Sequence, residues 1–278
     1  MNNPIITKAL KNATNELAVN IPRLKKIILE LPVSKSSEIN RAKLIKDINN
    51  PHKLPIVYAT NNHGKAEEIL NAFIDIKKSV PIYTLDILGL PDIPKDIETG
   101  GTYIENAILK GLAVQIMLKE LNINKVCTLG DDAGFEIDKL GGFPGLKSQR
   151  WLDEVGNALN KITTRDGSGG GKVTGNQKRE ATLSLLDDST GNRKAKFKCT
   201  LALIDNTNTV KNISIGDVDL LIASKARGAS KQDYDPIIIP VEGDGRTFAE
   251  MSTQEKNSFS HRGKAAKKLK IYIDKLKQ

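Results

Sequence analysis

The stretch LGDDAGFEIDKLGGFPGLKSQR, residues 129–150, starts apolar, meets two adjacent carboxylates at Asp131 and Asp132, and runs on into a cluster of glycines. The short apolar run over residues 125–130 predicts a buried strand, with the aspartates at its end. Side by side, two carboxylates repel unless a cation or a proton sits between them. Magnesium prefers oxygen ligands and usually binds through one or two carboxylates plus substrate phosphates, which makes it the expected cation. The other reading is an Asx-type turn, with Gly134 letting the chain bend sharply.

Upstream, the rhythm from residue 54 is that of an α/β domain: a buried strand over 55–60, an amphipathic helix over 65–74 and a second strand over 81–85. Between the first strand and its helix lies Thr60-Asn61-Asn62-His63-Gly64-Lys65. Free backbone N–H groups and the positive end of the helix suit a phosphate there, with Lys65 adding charge and Thr60 and Asn61 adding donors. An ordinary capped turn fits the hexapeptide equally well, and the spacing is not that of a P-loop.

Apolar residues at helical spacing predict a long helix over 102–121. Glu98, in the loop just before it, is the candidate additional metal ligand, although Glu98 and Glu105 would also stabilise a helix N-terminus whatever the function. Lys110 lies near the opposite side of that helix from Glu105, facing either a phosphate-binding cleft or solvent. Near the C-terminus, Lys256, His261 and Arg262 flank the start of the last helix, and Arg262 offers a rigid fork of donors for a phosphate or a base carbonyl.

Strands are expected over 194–205, 210–215, 218–223 and 236–241, and helices over 251–259 and 262–277. The glycine-rich run at 163–178 has no preceding strand and reads as a surface insertion rather than a phosphate loop. Residues 1–52 read as a helical appendage of unassigned role, broken into short pieces by Pro22, Pro32 and Pro51, ahead of a catalytic domain over 53–278.

The 278 residues include 39% hydrophobic side chains, enough for a proper core. The net charge of +9 is uneven: residues 1–52 carry +5, residues 256–278 carry +7, and the body between them −3. Without aromatics interleaved in the basic ends, this argues against nucleic acid as a partner. No apolar run approaches the ~20 residues that cross a bilayer and no secretory signal is visible, so a soluble cytoplasmic protein is expected. Cys127 and Cys199 sit in apolar, strand-like runs and read as small buried residues rather than a disulfide.

In order and at close spacing, TNNHGK, ETGGTYIENAILKG, DDAGFEIDKLGGFPGLKSQR, FKCTLAL, YDPI and EKNSFSHRGKA resemble the Ham1-type inosine triphosphate pyrophosphatase family from about residue 54 onward. The resemblance implies an α/β fold with an elongated mixed β-sheet flanked by helices, in two lobes around a central nucleotide cleft. It implies Mg2+-dependent hydrolysis of ITP, dITP and XTP to monophosphate and pyrophosphate, by a homodimer. Thr60, Asn61, Asn62, His63, Gly64 and Lys65 then match the triphosphate loop, Glu98 and Asp132 the metal ligands, and Asp132 also the base, with Asp131 at the neighbouring catalytic acidic position. Lys110, Lys256, His261 and Arg262 match nucleotide contacts, and Ala133, Arg150, Tyr234 and Asp235 fall in substrate-binding motifs.

The family's usual GFGYDP is Lys231-Gln232-Asp233-Tyr234-Asp235-Pro236 here, its DDSG has Ala133 for serine, and its SAR has Gln149 for alanine. Gln232 thus replaces an aromatic that stacks on the purine, a contact worth ~1–3 kcal/mol. Two further functions stay open on that ground: a pyrophosphatase with shifted base preference, and a nucleotide binder without turnover.

Overall fold

The computed structural model describes residues 4–29, 34–148, 174–186, 191–229 and 234–276. In chain order the elements are α1 (Pro4–Leu29), α2 (Lys35–Ile48), β1 (Ile56–Tyr58), α3 (His63–Ala72), β2 (Ile82–Thr84), α4 (Tyr103–Glu120), β3 (Cys127–Ile137) and β4 (Pro144–Gly145). They continue with α5 (Gly175–Ser184), β5 (Lys194–Ile204), β6 (Val210–Ile222), β7 (Ile238–Pro240), α6 (Thr253–Ser258) and α7 (His261–Leu276). The result is a mixed α/β protein built on an open sheet with helices against it, divided into two compact units. Among the described residues, the first unit takes those up to Ala133, 199–216 and those from Arg262 on; the second takes 134–198 and 217–261.

In the first unit the strand order is β2-β1-β3-β5-β6. β1 pairs in parallel with both neighbours, placing Val57 beside Tyr83 and Thr128. Parallel neighbours need crossover helices, and α3 and α4 supply them. Side chains on a strand alternate between faces, and the two faces here bury two different clusters. Val57, Ala202 and Ile204 join α4 and α1 on one face. Ile56, Tyr58, Leu129, Cys199, Leu201 and Leu203 join residues of α3 and α7 on the other.

Helices α1 (Pro4–Leu29) and α2 (Lys35–Ile48) pack into this unit. Ala9, Ala13, Leu17 and Leu24 are buried along one stripe of α1, and α2 is tied to the sheet by the buried Asp47, which accepts from Tyr83 at 2.7 Å and Lys53 at 2.6 Å. Contrary to the sequence expectation, α1 runs unbroken through Pro22. An interior proline costs ~3 kcal/mol, whereas each buried leucine contributes ~1.5–3 kcal/mol, so the packed stripe outweighs the break.

In the second unit β4-β3, β5-β6 and β6-β7 are neighbours, with β6 and β7 antiparallel and Leu221 opposite Ile239. Its core gathers Phe135, Ile137, Leu186, Val218, Leu220, Ile222, Ile237, Ile238 and Phe248. Three further expectations are corrected. β3 does not stop at Gly130 but continues to Ile137, so Gly134 lies inside a strand instead of turning the chain. The two strands expected over 210–223 are one, because Gly216 is accommodated in β6 without a break. Most of the glycine-rich insertion lies outside the described residues, but its end, 174–178, begins α5 through a capping box between Thr174 and Gln177.

Candidate active site

Because β3 runs on through the paired aspartates, their side chains leave opposite faces of the sheet. Asp131 points to the face that buries Leu129, two residues before it. There it accepts from the Tyr58 hydroxyl at 3.1 Å, the Cys199 thiol at 3.2 Å and the Arg262 Nε at 3.3 Å, and pairs with Lys65 Nζ at 3.1 Å. Burial alone would raise its pKa, but Arg262, Lys65 and Lys110 outweigh that and hold the carboxyl well below the usual range. Arg262 in turn pairs with Glu68 at 3.0 Å. The carboxylate oxygens of the two neighbours therefore bond to different cationic side chains. Asp131 is the closed centre of a buried ion network that fixes two cationic side chains.

Asp132 leaves the other face, toward α4. Its Oδ1 is 2.9 Å from Lys110 Nζ and its Oδ2 accepts from Asn106 Nδ2 at 3.2 Å. Lys110 is buried, not solvent-facing, and its ammonium also reaches Glu98 at 3.1 Å and the Asp131 carbonyl at 3.1 Å. Burial pulls the Lys110 pKa down, yet Asp132 and Glu98 more than restore it, so the ammonium keeps its charge. For Asp132 the balance is opposite: burial raises the pKa, Lys110 lowers it, and the charges of Glu98 and Asp131 leave it above the ordinary value.

Asn106 is a residue the sequence did not single out. Its Oδ1 accepts from the Gly100 amide at 2.8 Å while its Nδ2 donates to Asp132, so it links the Glu98 loop to the aspartate. The close approach of α4 to β3 depends on two glycines. A Cβ on Gly130 would lie 1.8 Å from the Ala107 carbonyl oxygen, and one on Gly111 would lie 2.7 Å from Ile204.

Glu98 and Asp132 thus converge on one cation, the Lys110 ammonium. Among the described residues no three His, Cys, Asp or Glu side chains gather as a metal cage. Two carboxylates on one spot still fit magnesium, which keeps several waters and completes its shell with substrate phosphates rather than with protein.

The turn after β1 is built as its residues suggest. Asn62 caps α3, accepting from the Lys65 amide at 3.1 Å, and its own amide donates to Thr60 Oγ1 at 3.1 Å. A Cβ on Gly64 would crowd the Asn62 oxygen at 3.3 Å. Asn61 Oδ1 is buried without a hydrogen-bond partner among the described residues, and His63 is exposed, 3.7 Å from Asp86. Ala133 is partly buried against the α3–α7 face.

In the second unit, the remaining candidates surround an aromatic cluster. His261 stacks on Phe197 with centroids 5.1 Å apart, Phe135 contacts Phe197 at 5.0 Å and Tyr234 at 5.1 Å, and Phe197 stacks on Phe248 at 6.4 Å. Lys256 pairs with the buried Asp235 at 2.7 Å and sits 5.8 Å over the Phe248 ring. Phe197 and Phe248 were not singled out from the sequence, since apolar aromatics on a strand and a short helix read as core. Arg150 and the altered residues 231–233 lie outside the described residues.

A model described as Ham1 family matches residues 56–272. A dITP/XTP pyrophosphatase of Lactobacillus johnsonii is 34% identical over 215 residues, covering 77% of this chain and 92% of that protein. One from Prochlorococcus marinus is 32% identical over 225 residues, covering 81% and 95%. The solved structure of a HAM1 protein from Coxiella burnetii aligns with a TM-score of 0.60 at 28% identity, covering 80% of this chain and 99% of that one.

Proposed function

The chain belongs to the Ham1 family, and from that premise we propose that it hydrolyses non-canonical purine nucleoside triphosphates, dITP and XTP foremost, to the monophosphate and pyrophosphate. The observation that carries the chemistry is the convergence of Glu98 and Asp132 on Lys110 in a largely buried cluster of charge. Asp132, with its pKa raised by burial and by its acidic neighbours, suits a general base. It takes a proton from a water whose oxygen attacks the α-phosphorus; the bond from that phosphorus to the bridging oxygen breaks, and pyrophosphate leaves with the electron pair. Lys110 offsets the charge on the departing phosphates, and Asn106 keeps Asp132 oriented. Mg2+, held by Glu98 and Asp132, would neutralise phosphate charge when bound.

Carried out in 18O-water, hydrolysis of XTP should put the label in XMP, because water attacks the α-phosphorus; label in pyrophosphate or in inorganic phosphate would contradict the mechanism. Asp132→Asn should lower the rate by ~10²–10³. The replacement of the stacking aromatic by Gln232 favours, as a second reading, a shifted base preference on the same phosphate chemistry. The premise extends to a homodimer, which sedimentation reads directly.

A further inference from the structure

Helix α1 lies wholly before the region matched by the Ham1 family model, which begins at residue 56. Its apolar stripe packs on α4, and a line of polar side chains borders that stripe. Asn12, Glu16 and Arg23 are spaced by 4 and 7 residues, which brings them to the same side of a helix. Arg23 and Glu16 grip the stretch that carries Glu98, and Asn12 the helix turn that follows it. Arg23 pairs with Asp96, two residues before Glu98. The hydroxyl of Thr99, the residue after it, donates to Glu16 at 3.2 Å. Asn12 donates to Glu105 at 2.7 Å, in the first turn of α4.

The Glu98 segment is short. It is a single 3₁₀ turn, Lys95–Ile97, with Glu98 as its last half-turn and no side-chain cap. Inside, it is anchored by the buried Ile97, by the Asn106 bond to Gly100 and by the Glu98 pair with Lys110 at 3.1 Å.

We propose that α1 is a brace that positions the Glu98 carboxylate, so that Asn12, Glu16 and Arg23 are positioning residues for the cation that Glu98 and Asp132 would share. This deepens the proposed function and rests on it for the role of Glu98. Each contact is exposed and individually weak, and their effect lies in holding one short segment from outside while Asn106 holds it from within.

The test compares the full chain with the triple variant Asn12→Ala, Glu16→Ala, Arg23→Ala, which leaves the apolar stripe intact. Lys25→Ala serves as control, because Lys25 ties α1 to Glu120 at the far end of α4, at 2.8 Å. Amide exchange over residues 97–100 and binding of Mn2+, followed by electron paramagnetic resonance, are measured without substrate. In the triple variant exchange should speed up at these amides and Mn2+ affinity fall by about three- to tenfold. The Mg2+ concentration for half-maximal turnover should rise in step, with kcat at saturating Mg2+ unchanged and Lys25→Ala like the wild type. Unchanged exchange and unchanged Mn2+ affinity in the triple variant, or an equal change in Lys25→Ala, would overturn the brace. If the wild type neither binds Mn2+ nor releases pyrophosphate, the functional reading fails, and the exchange measurement alone decides the brace.

Discussion

Asp131 and Asp132 are neighbours in sequence with opposite surroundings, because a strand sends successive side chains to opposite faces. Asp131 is enclosed by Tyr58, Cys199, Arg262 and Lys65, and Asp132 faces Lys110 and Asn106. Asparagine at the two positions should therefore fail differently. Asp131→Asn leaves the buried Arg262 and the half-buried Lys65 beside a neutral group, and losing one partner of a buried ion pair costs ~3–5 kcal/mol. Since the folded-state pKa of Asp131 is depressed below the ~3.9 of an unfolded aspartate, its contribution is complete above about pH 4 and is lost as pH falls toward the folded value. Urea titrations should show the variant much weaker at pH 7, with the gap to wild type closing under acid. A gap independent of pH would mean that ionised Asp131 does not stabilise the fold. Asp132, whose pKa is raised, carries no such acid-labile stabilisation, and its loss should be read in turnover.

α4 and β3 bring Lys110 to Asp132 because Gly111 and Gly130 let helix and strand approach closely. Gly130→Ala would drive a methyl to 1.8 Å from the Ala107 carbonyl oxygen, a backbone atom that cannot step aside. Thermal and urea unfolding should show a loss of at least about 3 kcal/mol. Gly191→Ala, which meets nothing within 4 Å and has no positive φ, should stay within about 0.5 kcal/mol of wild type. Equal stability of the two variants would refute the close approach. The sequence showed these elements by their periodicity, and β1, α3, α4 and β5 fall within a few residues of expectation. It did not show the exit directions of the aspartates, because the strand was read as ending at Gly130. Nor did it show the partners of Asp131, since Tyr58 and Arg262 stand 73 and 131 residues away in sequence. Pro22 was misread for a related reason: its cost is local, whereas the burial of Leu17 and Leu24 that outweighs it depends on a helix some eighty residues further on.

Over the whole chain, the candidate residues are divided between the two units. The first holds the charged network of Glu98, Lys110, Asp131, Asp132 and Arg262, and the second the aromatic cluster around Phe197 with His261 and Lys256. The positive charge at the two ends of the sequence is partly engaged within the first unit, Arg23 with Asp96, Lys25 with Glu120 and Lys270 with Asp75. None of the described helices is long and apolar enough to cross a membrane. The candidate charged residues are legible in short motifs, each a few residues long. Base preference is not, because the loop at residues 231–236 departs from the family pattern at Gln232. Pyrophosphate release by the purified chain from ITP, dITP, XTP, ATP and GTP, with and without Mg2+, bears on both. Metal-dependent release from ITP, dITP and XTP, with ATP and GTP far slower, is the expected result; no release from any of the five, or equal release without metal, would contradict it.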